Sequence, residues 1–166
     1  MCEEVKRWKH IILHHSASAF GTARLIDVWH RERGWLGIGY HFVVLNGYLT
    51  GKDAVAGRRF ESLVGAIECG RKIDGDEWVQ ADEEGAHALG YNKDSIGICC
   101  IHNKGPYDIH QYDALMHLCE DLCKKFNISP DNVLGHYEVD EKKLLCPGIN
   151  MVQFRDELKE ALDAVT

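Results

Sequence analysis

The chain has 166 residues, with 19 Lys+Arg against 26 Asp+Glu and a net charge of −7. That is the size of one domain with its own core, and the acidic balance argues against a protein that tracks nucleic-acid phosphates through a broad basic face. Hydrophobic residues at 45% and charged residues at 27% exclude a disordered chain, and no apolar run approaches the roughly 18 residues of a membrane span.

Met1-Cys2-Glu3-Glu4 lacks the basic-then-apolar order of a signal peptide, so synthesis in a reducing cytoplasm is expected. Lys9 to Ser16 reads as a buried strand running into two histidines. Thr22 to Arg33 reads as a helix with Leu25, Ile26, Val28 and Trp29 on its apolar side, stopped by Gly34. Tyr40 to Leu45 is a second strand, and Asn46-Gly47 is a hairpin turn leading to Tyr48-Leu49-Thr50. From Gly51 to Gly90 the pattern weakens into a glycine-rich stretch with an acidic cluster from Asp74 to Glu84. It is either a binding loop or a solvated excursion. Ser95 to Ile101 is a third strand, and Ile109 to Phe126 carries apolar residues at helical spacing. Val133 to His136 is a short strand. Asn150 and Gln153 suit a capping box before a helical stripe of Met151, Phe154, Leu158 and Leu162. Intermixed strands and helices give an α/β fold: one domain over 1–166, a central mixed sheet flanked by helices.

The seven cysteines show no C-x-x-C pair, which disfavours a disulfide framework. Cys119 and Cys123 fit a helix core. Cys99 and Cys100 point to opposite faces of a strand. Cys146 differs, standing in a loop before Pro147-Gly148.

Histidine is over-used, at ten residues. His14 and His15 end the first strand, and only one of two strand neighbours enters a given site. His136 ends another strand, ten residues before Cys146. Two imidazoles and a thiolate are suitable ligands for zinc (Zn2+), with a fourth position left for water. The competing view makes each histidine a hydrogen-bonded structural residue. A phenol at Tyr40 can donate to developing oxyanion charge, or be a half-buried strand aromatic. Lys142 and Lys143 are a cation source beside Cys146, or solvated charge.

Five segments then appear in order. They are Leu13-His14-His15-Ser16-Ala17-Ser18, Gly34-Trp35-Leu36-Gly37-Ile38-Gly39-Tyr40-His41-Phe42, Gly85-Ala86-His87-Ala88 running on to Gly90-Tyr91-Asn92 and Ser95-Ile96-Gly97-Ile98, Gly135-His136-Tyr137-Glu138-Val139, and Cys146-Pro147-Gly148. Together they resemble the zinc-dependent N-acetylmuramoyl-L-alanine amidase family, which includes phage lysozyme-type endolysins and peptidoglycan recognition proteins. The resemblance implies metal ligands at His14, His136 and Cys146, and a catalytic role for Tyr40. It also implies substrate-side positions in the cleft at His87 and Asn92. The family's phage pattern has a lysine two before the last ligand. Leu144 stands there in this chain, so Lys143 is expected to supply the cation, with Lys142, or neither lysine, the alternatives. Glu138 is a candidate to orient a ligand.

The substrate so implied is the amide joining N-acetylmuramic acid to L-alanine in peptidoglycan. The expected enzyme is a monomer without a separate wall-binding domain, a nucleic-acid partner or a membrane partner, and it meets the wall after release. Three other readings stand beside it: a non-catalytic peptidoglycan-binding domain, a regulator of a phage RNA polymerase, and a thiol hydrolase using Cys146 with His136.

Overall fold

A computed structural model describes residues 7–76 and 78–164. The N-terminal Met1-Cys2-Glu3-Glu4 lies outside the described residues. Five strands form one mixed sheet: β1 (His10–His15), β2 (Phe42–Asn46), β3 (Val64–Cys69), β4 (Ser95–Cys100) and β5 (Val133–Gly135), in the order β3-β2-β4-β1-β5. β1 runs parallel to both β4 and β5, β2 runs parallel to β4, and only the edge strand β3 is antiparallel. The expected α/β class with a mixed sheet is borne out.

The helices are α1 (Ala23–Glu32), α2 (Gly51–Ala56), α3 (Ile109–Phe126), α4 (His136–Val139) and α5 (Met151–Asp163). α3 and α5 cover one sheet face, where Ile11, Leu13, Ile96, Ile98, Leu115, Cys119, Phe154 and Leu158 form the larger core cluster. Phe154 is fully buried, and its truncation to alanine would cost on the order of 3–5 kcal/mol. On the opposite face Ile26 of α1 packs with Val43, Leu45, Cys99 and Ile101. Cys99 and Cys100 thus divide between the two faces, as alternation requires. The six described cysteines are free.

Capping sets several boundaries. Thr22 accepts from the Leu25 amide at 3.1 Å to start α1. Asn150 accepts from the Val152 and Gln153 amides to start α5. Only half of the expected capping box forms there, because the Gln153 side chain donates to Glu157 instead. On α1 the buried residues are Ile26 and His30, whereas Val28 is exposed: the stripe follows the i, i+4 step rather than all the apolar residues.

The Asn46-Gly47 turn forms, with Gly47 at φ 89°, but Tyr48–Thr50 is not the returning strand. Thr50 and Asp53 build a reciprocal capping box that starts α2, and pairing falls instead to β3, with Val44 opposite Ile67. The weakly patterned stretch therefore supplies the sheet edge. Beyond β3 its irregular part is tied down from inside. Buried Glu83 accepts from the amides of Asp74 (2.7 Å) and Gln80 (2.9 Å), and its carbonyl accepts from His41 at 2.7 Å. Arg71 donates to the carbonyls of Ile38 and Glu84.

Candidate metal centre and cleft

The parallel register places the site. Leu13 pairs with Gly135 and His14 with Cys99, so the carboxyl ends of β1 and β5 deliver His14 and His136 side by side. In a sheet whose central strands are parallel, this is the end where ligands characteristically bind. Strand alternation sends His14 to the face of Tyr40 and Cys99, and His15 to the other. β5 stops one residue earlier than the sequence suggests. His136 opens α4, because Glu138 accepts from the Gly135 amide at 2.8 Å and is held by Arg155 of α5 at 2.8 and 2.9 Å. Glu138 thus acts on the backbone that presents His136, not on a ligand ring.

Cys146 comes in from the following loop. The Tyr137 amide donates to its carbonyl at 2.9 Å, and the His15 amide donates to its Sγ at 3.4 Å. Tyr107 fixes the next residue by donating to the Pro147 carbonyl at 2.7 Å. Donor atoms of buried His14, His136 and Cys146 all lie within 4.8 Å of one another, and the two Nδ1 atoms are 3.0 Å apart. Two nitrogen ligands about 2.0–2.1 Å from a tetrahedral ion stand roughly 3.3 Å apart, so the donor set suits a metal in chemistry and the two imidazoles suit it in spacing. Burial, then the neighbouring imidazoles, pushes His14 well below its ordinary value, and burial also lowers His136. Both are neutral near pH 7, the state a metal ligand needs.

A groove of about 390 Å³ opens at this cluster, and Tyr40, His87, Asn92, His136 and Lys143 all line it. The Tyr40 ring lies 5.0 Å from that of His14. Burial raises its phenol well above the ordinary value, helped by the nearby Cys99 and Cys146 thiols, so its proton is retained. Lys143 faces the groove, and its charge acts on His14, His136 and Cys146. Lys142 does not line the groove; its amide donates to Asp140 Oδ1. Leu144 and Leu145 are exposed. The Asn92 carboxamide oxygen accepts from the amides of His87 (2.8 Å) and Ala88 (2.9 Å). His87 is buried, and both its ring nitrogens have partners inside the protein.

Three polar groove residues had no site role in the sequence analysis. His30 is buried on α1, accepts from the Gly39 amide at 3.0 Å and packs against Trp35 and Tyr40. Its position four residues after Ile26, on the inward stripe, was the available signal. Arg33, just past α1, and Asp140, whose carboxylate stands 3.9 Å from His136 Nε2, also line the groove. No periodicity marks either.

A protonated phenol, a cation and three donors that could hold a metal ion stand together at the carboxyl ends of parallel strands, an arrangement suited to hydrolysis through a negatively charged oxygen. A model of N-acetylmuramoyl-L-alanine amidases matches residues 4–149, and the chain belongs to that family. The endolysin of Escherichia phage T7 is 33% identical over 135 residues, 77% of this chain and 70% of that one. The endolysin of Klebsiella phage KP32 is 28% identical over 133 residues, with the same coverage. Among solved structures, the N-acetylmuramoyl-L-alanine amidase LysC from Clostridium intestinale superposes with a TM-score of 0.68 at 28% identity, covering 95% of this chain and 87% of that one. Drosophila PGRP-LB superposes with a TM-score of 0.61 at 25% identity, covering 87% and 76%. The resemblance carried by the five segments is borne out, and the chain is a peptidoglycan amidase.

Proposed function

We propose that this chain hydrolyses the amide between N-acetylmuramic acid and L-alanine with one zinc ion held by His14, His136 and Cys146. What supports the metal is the convergence of those three buried donors at one end of the groove. When bound, zinc would polarise the scissile carbonyl and make water acidic enough to attack near neutral pH. Tyr40 donates its phenolic proton in a hydrogen bond to the oxygen on which charge develops. The Lys143 ammonium adds a positive field on the same side. Asn92 shapes the wall by tying the backbone of His87 and Ala88.

Arg33 and Lys143 line the groove without an ion-pair partner among the described residues. On a chain of net charge −7, these two cations, set against the single carboxylate of Asp140 in the groove lining, suit the carboxylates of a stem peptide. The thiol-hydrolase alternative is weaker. Without a metal, burial pushes the Cys146 thiol up to about 11, so it is protonated near neutral pH and a poor nucleophile. No helix among the described residues is long and apolar enough to cross a membrane.

The test is digestion of purified peptidoglycan with mass-spectrometric products. Free L-alanine amino termini and intact lactyl ends should appear, a chelator should stop them, and added zinc should restore them. Cleavage between sugars, or activity indifferent to the chelator, would overturn the proposal.

A further inference from the structure

Two glycines are spent on seating one imidazole. A Cβ at Gly97 of β4 would lie 2.6 Å from Cγ and Cδ2 of His87, and one at Gly85 would lie 2.4 Å from its Cδ2. The ring is therefore laid flat against the backbone of a buried strand. Asn92 fixes its main chain from the other side.

The hydrogen bonds around that ring admit one proton arrangement. Ser95 Oγ donates its only proton to the Tyr91 carbonyl at 2.6 Å. His87 Nε2 then faces two acceptors, the Ser95 hydroxyl oxygen and the Ser95 carbonyl, each at 3.3 Å. Nε2 must carry the His87 proton, which leaves Nδ1 as an acceptor. That Nδ1 is 2.9 Å from His14 Nε2, so His14 must donate from Nε2. The lone pair of His14 is thereby left on Nδ1, the atom 3.0 Å from His136 Nδ1 and inside the metal cluster.

We infer that His87 is a positioning residue of the metal site: seated by Gly85 and Gly97 and oriented by Ser95, it fixes His14 in the tautomer that offers Nδ1 to the metal. The inference rests on the zinc centre proposed above. It changes the role expected for His87 from touching substrate to holding a ligand, since neither ring nitrogen is free to face the groove. Outer partners of this kind set the tautomer and basicity of a ligating imidazole, and losing one typically weakens metal binding by about 10–100-fold.

The test compares two variants of nearly equal size. Asparagine keeps an acceptor on the atom after Cγ, where His87 holds Nδ1; leucine fills the same space without one. Zinc affinity is read by competition with a chromophoric chelator. His87→Leu should bind zinc about 10–100-fold more weakly, and His87→Asn should stay within about threefold of the parent, a difference that loss of packing alone would not produce. Equal weakening in both, or none in His87→Leu, overturns the inference. Long-range ¹⁵N–¹H correlation spectra of the parent decide it independently if His87→Leu fails to fold. His14 and His87 should both be protonated on Nε2, and a His14 proton on Nδ1 refutes the arrangement. Should the parent bind no zinc, the proposed metal function fails, while the metal-free spectra still decide the His14–His87 bond.

Discussion

Replacing Tyr40 with phenylalanine removes one oxygen and leaves the ring. The ring contacts at 5.0 Å to His14 and 5.5 Å to His30 persist, so the groove keeps its shape. In the free protein the hydroxyl interacts with the Cys99 thiol, a weak sulfur partner whose loss costs about 1 kcal/mol of stability or less. The transition state loses far more. A donor aimed at a developing oxyanion is worth on the order of 10²–10³ in kcat, about 2.7–4 kcal/mol. The phenol's raised pKa keeps that donor protonated at every working pH. Turnover on a purified muropeptide should therefore fall at least about 10²-fold, with KM, melting temperature and zinc content nearly unchanged. Parent-like turnover at full zinc content, or a loss that follows lost zinc, would refute this account of Tyr40.

Cys146→Ser replaces a soft thiolate with a poor ligand, and zinc content should drop together with activity while far-UV circular dichroism is retained; a fully loaded serine variant would contradict the three-donor site. The two lysines should separate: Lys143→Ala is expected to lose about tenfold or more in kcat through the missing positive field, and Lys142→Ala, which does not line the groove, to behave as the parent. Equal rates in the pair would remove the lysine from the mechanism. Stability should depend on pH through His41, which is buried and lowered from 6.5 to about 4, chiefly by burial. Its neutral form is favoured by folding, so this contribution is intact above about pH 6.5 and is lost as pH falls toward 4, amounting to about 3 kcal/mol. Urea midpoints at pH 7 and pH 4.5, for the parent and His41→Gln, measure it, and identical slopes in both proteins would exclude His41 as the source.

Where one periodicity dominates, the sequence carries the structure. α3 matches its expected span because eighteen residues repeat one apolar face, and β1 and β4 are legible from the apolar residues at their centres, Ile11 to Leu13 and Ile96 to Cys100. The choice of His14 over His15 follows from alternation once one knows which face holds the site, and that knowledge came from the family resemblance. β3 was not legible: its half-exposed residues alternate only weakly, and it is a strand because β2 offers an unpaired edge. The hairpin to Tyr48 failed for a local reason, the capping box of Thr50 with Asp53. Arg33 and Asp140 in the groove carried no pattern, since a rim is made by tertiary approach. The His14–His87–Ser95 chain was likewise out of reach, although its glycines stood in plain sight in the motifs.

The last helix bears on when the molecule becomes competent. Arg155 holds Glu138 at the turn that presents His136 and also donates to the Val133 carbonyl. Tyr112 donates to Glu157, and Lys159 reaches Asp131 at 2.7 Å. α5 is thus lashed to the strand and turn that carry the second histidine. A ribosome delivers His14 early, His136 and Cys146 late, and Arg155 after all of them. Until α5 docks, the nascent chain has its donors but not the brace that aims one of them. A hydrolase built in this order lacks that brace until α5 has been made and has docked.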